Sequence, residues 1–297
     1  MPTGKNKIIG IILSVILIVF AVGAFLSTDK ETPEVTTEPT PTEETVTTPA
    51  LPTNAIVGTS VEGRVIETYT YGTGSTTLLF VGGVHGGYEW NSTLLAYEFI
   101  DALEAGTFIV PAHLRFVIIP TLNPDGLFEV VGTSGRFIAA EIPPNDAHTT
   151  GRGRFNANDV DLNRNFDCKW KPESTWRSKV VSAGTEAFSE PEAKTLKRVV
   201  ENENPVAVVF WHSQANTVYA SECEAGVLPQ TLAIMNAYAN AANYNSVSSF
   251  DAYPISGDAE GWLASIGIPA ITVELETKTS SEWQRNQAGI KALIGLY

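Results

Sequence analysis

Two histidines and a glutamate have the residue types and the spacing of a catalytic zinc site. His85 and Glu89 lie close together in the chain, and His212 is distant. Catalytic zinc commonly takes three His or carboxylate ligands and keeps a fourth position for water. The glycines of the segment GGVHGGYE (residues 82–89) allow the backbone to turn sharply around His85. The sequence therefore predicts one zinc ion per chain, bound by His85, Glu89 and His212.

These residues follow apolar, β-branched runs that are typical of buried strands. In open α/β sheets, ligands bind outside the carboxyl ends of the strands. If the runs form parallel strands, the polar clusters that follow them meet at one edge. The runs are residues 77–81, 114–119, 207–211 and 270–273, followed by GGVHGGYE, PTLNPDG, HSQ and ELE.

Helical segments are predicted between these strands, at residues 92–103, 190–202, 228–242 and 259–265. Ser189 and Glu192 have the spacing of a capping box at the start of the second segment. Short strands that alternate with helices are typical of a sheet covered on both faces. The predicted fold class is α/β, with a mixed, largely parallel central sheet and helices on both faces.

The composition limits both the architecture and the partners. A chain of 297 residues, 43% of them hydrophobic, can bury one sizeable core, so one catalytic domain is expected. A net charge of −14 and a pI near 4.7 exclude nucleic acid as a partner, because phosphate binding needs clustered basic residues. Only two cysteines are present, which excludes a zinc site built from thiolates.

The N-terminal part of the chain predicts export of the domain. Residues 8–26 carry no charge and are long enough to cross a bilayer. The lysines before them place residues 1–7 in the cytoplasm and the domain outside, as a single-pass membrane protein. A cleaved signal peptide, and hence secretion, is the alternative. Residues 27–54, rich in Thr, Pro and Glu, are expected to form an extended linker before a catalytic domain at residues 55–297.

The two cysteines, Cys168 and Cys223, are expected to lie near the rim of the site. In an exported domain two cysteines usually pair, so a disulfide is predicted. Two buried free thiols are the alternative.

From about Val81 to its C-terminus the chain resembles the zinc carboxypeptidase family of metallocarboxypeptidases. The resemblance includes a short His and Glu motif, an Asn-Arg pair, a distal His followed by Ser, a Tyr before Ser-Gly, and a Glu near the end. The family usually has HxxE, whereas this chain has HGGYE, which places Tyr88 at the usual ligand position. The ligand role is assigned to Glu89, because a carboxylate is a better zinc ligand than a tyrosine.

The resemblance also implies how a substrate binds. In the segment FNANDVDLNRNFD (residues 155–167), Asn163 and Arg164 would hold the free C-terminal carboxylate. A guanidinium suits this task because it donates two parallel hydrogen bonds. Tyr253, in YPISGDAEGW (residues 253–262), would close over the substrate. Glu260 falls near the position that contacts the substrate side chain, where an acid would favour an amine; an exposed glutamate on a helix, without a role in binding, is the alternative.

Two further residues are implied in catalysis. Glu274 matches the general base and proton shuttle, and Glu276 is the alternative because it points to the same face of the strand. Arg154 is the candidate cation for the scissile carbonyl, with Arg152 as its rival.

The resemblance therefore implies a zinc-dependent enzyme that hydrolyses the C-terminal bond of peptides or of cell-wall peptide stems outside the cell. A zinc deacylase or amidase that acts on N-acyl amino acids is the alternative within the same chemistry. A membrane-tethered binding module without turnover is the alternative from another class.

Overall fold

The computed structural model describes residues 53–144 and 146–297. In chain order the strands of this part are β1 Thr53–Thr59, β2 Val65–Tyr71, β3 Thr76–Val81, β4 Leu114–Ile119, β5 Glu173–Trp176, β6 Lys179–Ser182, β7 Ala207–Ser213, β8 Thr217–Ala220, β9 Glu222–Cys223, β10 Gly226–Val227, β11 Asn245–Val247 and β12 Ala270–Leu275. The α-helices are α1 Trp90–Glu104, α2 Pro124–Val131, α3 Ala147–Arg152, α4 Pro191–Glu203, α5 Pro229–Ala242, α6 Ala259–Ser265 and α7 Trp283–Ile294. Short 3-10 helices cover Gly86–Glu89, Ala139–Glu141 and Leu162–Arg164.

The central sheet has eight strands in the order β1-β2-β4-β3-β7-β12-β8-β11. Its four middle strands, β4, β3, β7 and β12, run parallel to one another. These are the four strands that the sequence predicts. The pairs β1–β2, β2–β4 and β8–β12 are antiparallel, so the sheet is mixed as expected.

Side chains alternate between two buried faces along the middle strands. Leu78 and Phe80 pack with apolar residues of α1, α5 and α7 on one face. Leu79 and Val81 pack with α4 and α6 on the other. This arrangement confirms the predicted α/β fold, and it explains why the middle strands are mostly apolar.

Each predicted helix is present with its ends shifted by at most two residues, but the predicted capping box is wrong. Glu190 is the N-cap residue of α4, and Pro191 follows it at N1. The Ser189 hydroxyl donates to Glu190 at 2.8 Å. Glu192 accepts from the backbone N–H of Val61 at 3.1 Å, so it joins α4 to the turn after β1 and is not free to cap the helix.

The predicted membrane or signal segment, residues 8–26, and nearly all of the predicted linker lie outside the described residues. Thr53 and Asn54, which the sequence analysis places in the linker, are part of β1. Among the described helices, none combines the length and apolarity needed to cross a membrane.

Candidate active site

The carboxyl ends of β3, β7 and β12 border one cavity of about 390 Å³. His85 follows β3, while His212 lies near the end of β7 and Glu274 near the end of β12. The register between β7 and β12 places Glu274 directly beside His212. The sheet itself therefore brings these residues together.

The predicted metal ligands converge on one point. His85 Nδ1 and His212 Nδ1 each lie 3.0 Å from Glu89 Oε2, and the two nitrogens are 3.1 Å apart. All three side chains are buried, and their ligand atoms lie within 4.8 Å of one another. Two imidazoles and a carboxylate form the donor set of a catalytic zinc site that keeps a position open.

The backbone between His85 and Glu89 depends on glycine. Gly86 has a φ of +44°, and a Cβ there would lie 2.7 Å from backbone atoms of Gly126 and Gly153. The residues Gly86–Glu89 form a 3-10 turn directly before α1, in which Glu89 is buried and Tyr88 is half-buried. This turn accommodates the extra residue of HGGYE and brings Glu89, rather than Tyr88, to the two histidines.

The electrostatics of the three side chains favour a cation. Burial alone would raise the pKa of Glu89, but His85 and His212 hold it well below its usual value. Burial would likewise lower the pKa of His212, but Glu260 and Glu89 raise it to about 10. A site that stabilises positive charge to this degree fits a zinc ion.

The outer nitrogens of both histidines contact carboxylates. His85 Nε2 lies 3.4 Å from Asp161 Oδ1, and His212 Nε2 lies 3.3 Å from Glu260 Oε1. These are ion-pair distances rather than close hydrogen bonds. Carboxylates in this position orient metal-binding imidazoles. Asp161, which the sequence analysis missed, could have been recognised as an acid two residues before Asn163.

Arg154, and not Arg152, faces the cavity. Its Nε and Nη2 donate to Asp161 Oδ2 at 2.9 and 2.8 Å, and its Nη1 lies 3.8 Å from Glu89 Oε1. Arg152 is about half exposed and pairs with Glu129 and Asp159. The guanidinium of Arg154 is therefore the one fixed beside the three predicted metal ligands.

Asn163 and Arg164 line the same cavity. The Nε and Nη2 of Arg164 donate to the carbonyl of Thr175 at 3.2 and 3.0 Å, and its Nη1 donates to the carbonyl of Asn163. No carboxylate of the described residues lies within ion-pair distance of this guanidinium, although Arg164 is only 2% exposed. A buried guanidinium without a paired carboxylate suits a substrate carboxylate.

Glu274 has one oxygen that no protein group satisfies. Its Oε2 is buried and has no hydrogen-bond partner. Burial, and then the charge of Glu89, raise the pKa of Glu274 to about 7. Its rival Glu276 is exposed and pairs with Arg285 at 2.9 Å. Glu274 is therefore the glutamate of β12 that can exchange protons in the cavity.

The two remaining predicted residues also line the cavity, but their settings differ. Tyr253 packs edge-on against Phe250, with ring centres 4.8 Å apart. Glu260 is 3% exposed and accepts from the Thr272 hydroxyl at 3.1 Å, besides its contact with His212. Its carboxylate is therefore already engaged with the protein.

Several residues of the site follow no pattern in the sequence. Asp258, the N-cap of α6, faces the cavity beside Glu260, and burial raises its pKa to about 6. Trp176 packs against Tyr88 at 5.1 Å and under the guanidinium of Arg154 at 4.6 Å. The predicted disulfide is present: Cys168 is bonded to Cys223.

The model of the family described as zinc carboxypeptidase matches residues 44–293. The chain is 23% identical over 246 residues to gamma-D-glutamyl-L-diamino acid endopeptidase 1 of Lysinibacillus sphaericus, covering 75% of this chain and 60% of the relative. It is 27% identical over 179 residues to carboxypeptidase O of Bos taurus, covering 55% of this chain and 46% of the relative. The chain thus spans 60% or less of the length of these two relatives.

Solved structures share the fold. Bovine thrombin-activatable fibrinolysis inhibitor aligns with a TM-score of 0.62 at 19% identity, over 82% of this chain and 88% of that chain. A murein-tripeptide amidase from Escherichia coli O157 aligns with a TM-score of 0.57 at 23% identity, over 82% and 91% of the two chains.

Proposed function

Because the chain belongs to the zinc carboxypeptidase family, we propose that it removes the C-terminal residue of peptides that carry a free C-terminal carboxylate. Membership of the family makes it a zinc-dependent hydrolase. The observation that carries the finer proposal is the buried, carboxylate-free guanidinium of Arg164 in the cavity of the His–Glu–His cluster. A free C-terminal carboxylate is the substrate group that such a cation binds best.

His85, Glu89 and His212 would hold the zinc ion, which supplies Lewis-acid activation of water and of a carbonyl oxygen when it is bound. Asn163 and Arg164 bind the terminal carboxylate and so fix the position of the scissile bond. Tyr253, which lines the same cavity, closes on the substrate.

Glu274 and Arg154 act on the reacting groups. Glu274 takes a proton on Oε2 from the attacking water and returns it to the leaving amine. Its pKa of about 7 suits both transfers at neutral pH. Arg154 donates to the carbonyl oxygen as negative charge develops there, and Asp161 keeps the guanidinium in place for this task.

The side chain of the leaving residue is proposed to carry an amine, as in a diamino acid of a cell-wall peptide. Asp258 supports this because its carboxylate faces the cavity beside the carboxylate anchor. The relative named as acting on a gamma-D-glutamyl-L-diamino acid supports it from sequence. We also propose that the enzyme acts outside the cell. The support for this location is the uncharged segment at residues 8–26, with the lysines that precede it.

An amidase or deacylase is the second candidate, supported by the likeness to murein-tripeptide amidase. It would use the same zinc ligands and the same guanidinium. The bond cleaved would be the amide bond between an acyl group and the nitrogen of an amino acid. The two activities can be distinguished by comparing the hydrolysis of N-acyl amino acids with that of peptides with free C-termini.

The test uses the full chain with bound zinc and peptides that differ only in a free or an amidated C-terminus. Wild type is expected to release the C-terminal residue only from the free form. Glu274→Gln should abolish release without loss of zinc, whereas Glu276→Gln, just after the end of β12, should leave release unchanged. Equal cleavage of both peptide forms would exclude a carboxypeptidase, and zinc binding without any hydrolysis would indicate a binding module.

A further inference from the structure

A basic and aromatic wall stands at the mouth of the cavity, and the mechanism above does not use its charges. Tyr88, Trp176 and Arg177 line the cavity. The ammonium of Lys278 lies over the ring of Tyr88, 2.9 Å from its centre, and donates to the Tyr88 carbonyl at 3.2 Å. In a chain with a net charge of −14, unpaired cations at the mouth of the site need an explanation.

Lys278 is held in place by its loop, whereas Arg177 is exposed at the tip of a hairpin. Asn91 donates to the carbonyls of Thr277 and Ser280, which fixes the loop on both sides of Lys278. Arg177 forms the turn of the β5–β6 hairpin and lies 5.9 Å from the ring of Trp176. Preorganised side chains lose less entropy when they bind a ligand.

Neither cation has an acidic partner among the described residues. Within residues 53–144 and 146–297, no carboxylate lies within ion-pair distance of Arg177 or Lys278. Burial, with the repulsion of Arg154 and Arg177, outweighs the attraction of Glu89 and Glu274 and lowers the pKa of Lys278 to about 8. Two cations that repel each other and lack a counter-charge suit an anion from outside.

The position of the wall indicates which part of the substrate it meets. Lys278 is influenced by the charges of Glu89 and Glu274, at the reaction centre. The guanidinium of Arg154, which is proposed to polarise the scissile carbonyl, lies 4.6 Å from the ring centre of Trp176 and 5.8 Å from that of Tyr88. The carboxylate anchor Arg164 donates to the carbonyl of Thr175, the residue before Trp176. A peptide with its terminal carboxylate at Arg164 and its scissile carbonyl at Arg154 therefore meets the wall with the residue that supplies that carbonyl.

Resting on the proposed function, we propose that Arg177 and Lys278 bind a second carboxylate of the substrate, on the residue that supplies the scissile carbonyl. An acidic side chain of an α-linked residue has this chemistry. So does the free α-carboxylate of a glutamyl residue that is joined through its γ-carboxyl group. The preferred substrate thus carries two carboxylates, one on each side of the bond that is cleaved.

The test compares kcat/KM of the zinc-loaded full chain for matched peptides with Glu, Gln or γ-linked Glu on the acyl side. We expect wild type to prefer one of the Glu forms over Gln by about 5- to 30-fold, mainly through KM and less at high salt. The form preferred, α-linked or γ-linked, identifies the source of the carboxylate.

The double variant Arg177→Ala, Lys278→Met should remove the preference for Glu while cleavage of the Gln peptide continues. Lys179→Met is the matched control, because Lys179 lies on the same hairpin, 5.6 Å from the ring of Trp176, but unlike Arg177 does not line the cavity and unlike Lys278 does not lie over the ring of Tyr88. Equal cleavage of Glu and Gln peptides by wild type would overturn the inference and leave the proposed function intact. Failure to cleave any peptide with a free C-terminus would overturn both.

Discussion

The structure assigns Glu260 a different role from the one expected from the sequence, and one substitution tests this role. The family position suggests contact with the substrate side chain, but the carboxylate lies 3.3 Å from His212 Nε2 and is 3% exposed. We expect Glu260→Gln to weaken zinc binding rather than substrate selection. The Gln side chain can still accept from the Thr272 hydroxyl, so the fold should persist.

The expected loss of zinc affinity follows from the contact between Glu260 and the imidazole of His212. Removing a carboxylate that orients a metal-binding imidazole typically costs about 10- to 100-fold in metal affinity, or about 1.4 to 2.7 kcal/mol. Zinc affinity would be measured on the full chain by competition with a chelator of known affinity. Unfolding of the metal-free variant by urea would show that the loss concerns the metal and not the fold.

Asp258→Asn is the control for Glu260→Gln, because the opposite pair of effects on zinc affinity and substrate preference is expected. Asp258 also faces the cavity and caps α6 by accepting from the backbone N–H of Gly261 at 2.7 Å, a bond that Asn can also accept. This variant should keep zinc affinity and lose the preference for a C-terminal lysine over leucine. If Glu260→Gln instead kept its zinc affinity and lost that preference, the assignment of Glu260 to His212 would be refuted.

Three other outcomes are expected. Arg164→Met should lower kcat/KM for peptides with free C-termini by about 10- to 150-fold, and an unchanged value, as for the control Arg152→Met, would contradict the carboxylate anchor. Burial raises the pKa of Glu192 from 4.5 to about 7, so the folded state retains a proton that the unfolded state releases. The free energy of unfolding in urea should therefore fall by about 3 kcal/mol as the pH rises through this window, and Glu192→Gln should flatten the profile. Replacing Cys168 and Cys223 by Ala opens a loop of 55 residues and should lower the free energy of unfolding by about 4 kcal/mol; an unchanged urea midpoint would contradict this.

The middle of the sheet could be predicted because its strands are buried on both faces and are therefore mostly apolar. The antiparallel edge strands could not. β1 is mostly exposed, with no alternation of apolar residues, and β11 has only three residues. Helix α2 was hidden in the cluster PTLNPDG, although Asn123 caps it and Pro124 stands at its first turn, a recognisable start signal.

Four of the nine predicted site residues could be placed around one cavity because they stand at strand ends that meet; the resemblance to the family supplied the other five. The sequence could not decide between Arg152 and Arg154, which lie two residues apart at the end of α3. The choice is made by burial: Arg154 points inward to Asp161, while Arg152 pairs with surface acids. Nor could it find Arg177 and Lys278, because the contacts that bring them to the cavity join segments distant in sequence.

The extra residue in HGGYE links the metal site to the basic and aromatic wall. With the usual HxxE spacing, Tyr88 would be at the ligand position. Here the 3-10 turn buries Glu89 beside the histidines and leaves the ring of Tyr88 half-buried at the mouth of the cavity. That ring is the surface against which both Trp176 and Lys278 pack. The departure from the family spacing therefore keeps the metal ligands and also builds the wall to which we assign the second carboxylate.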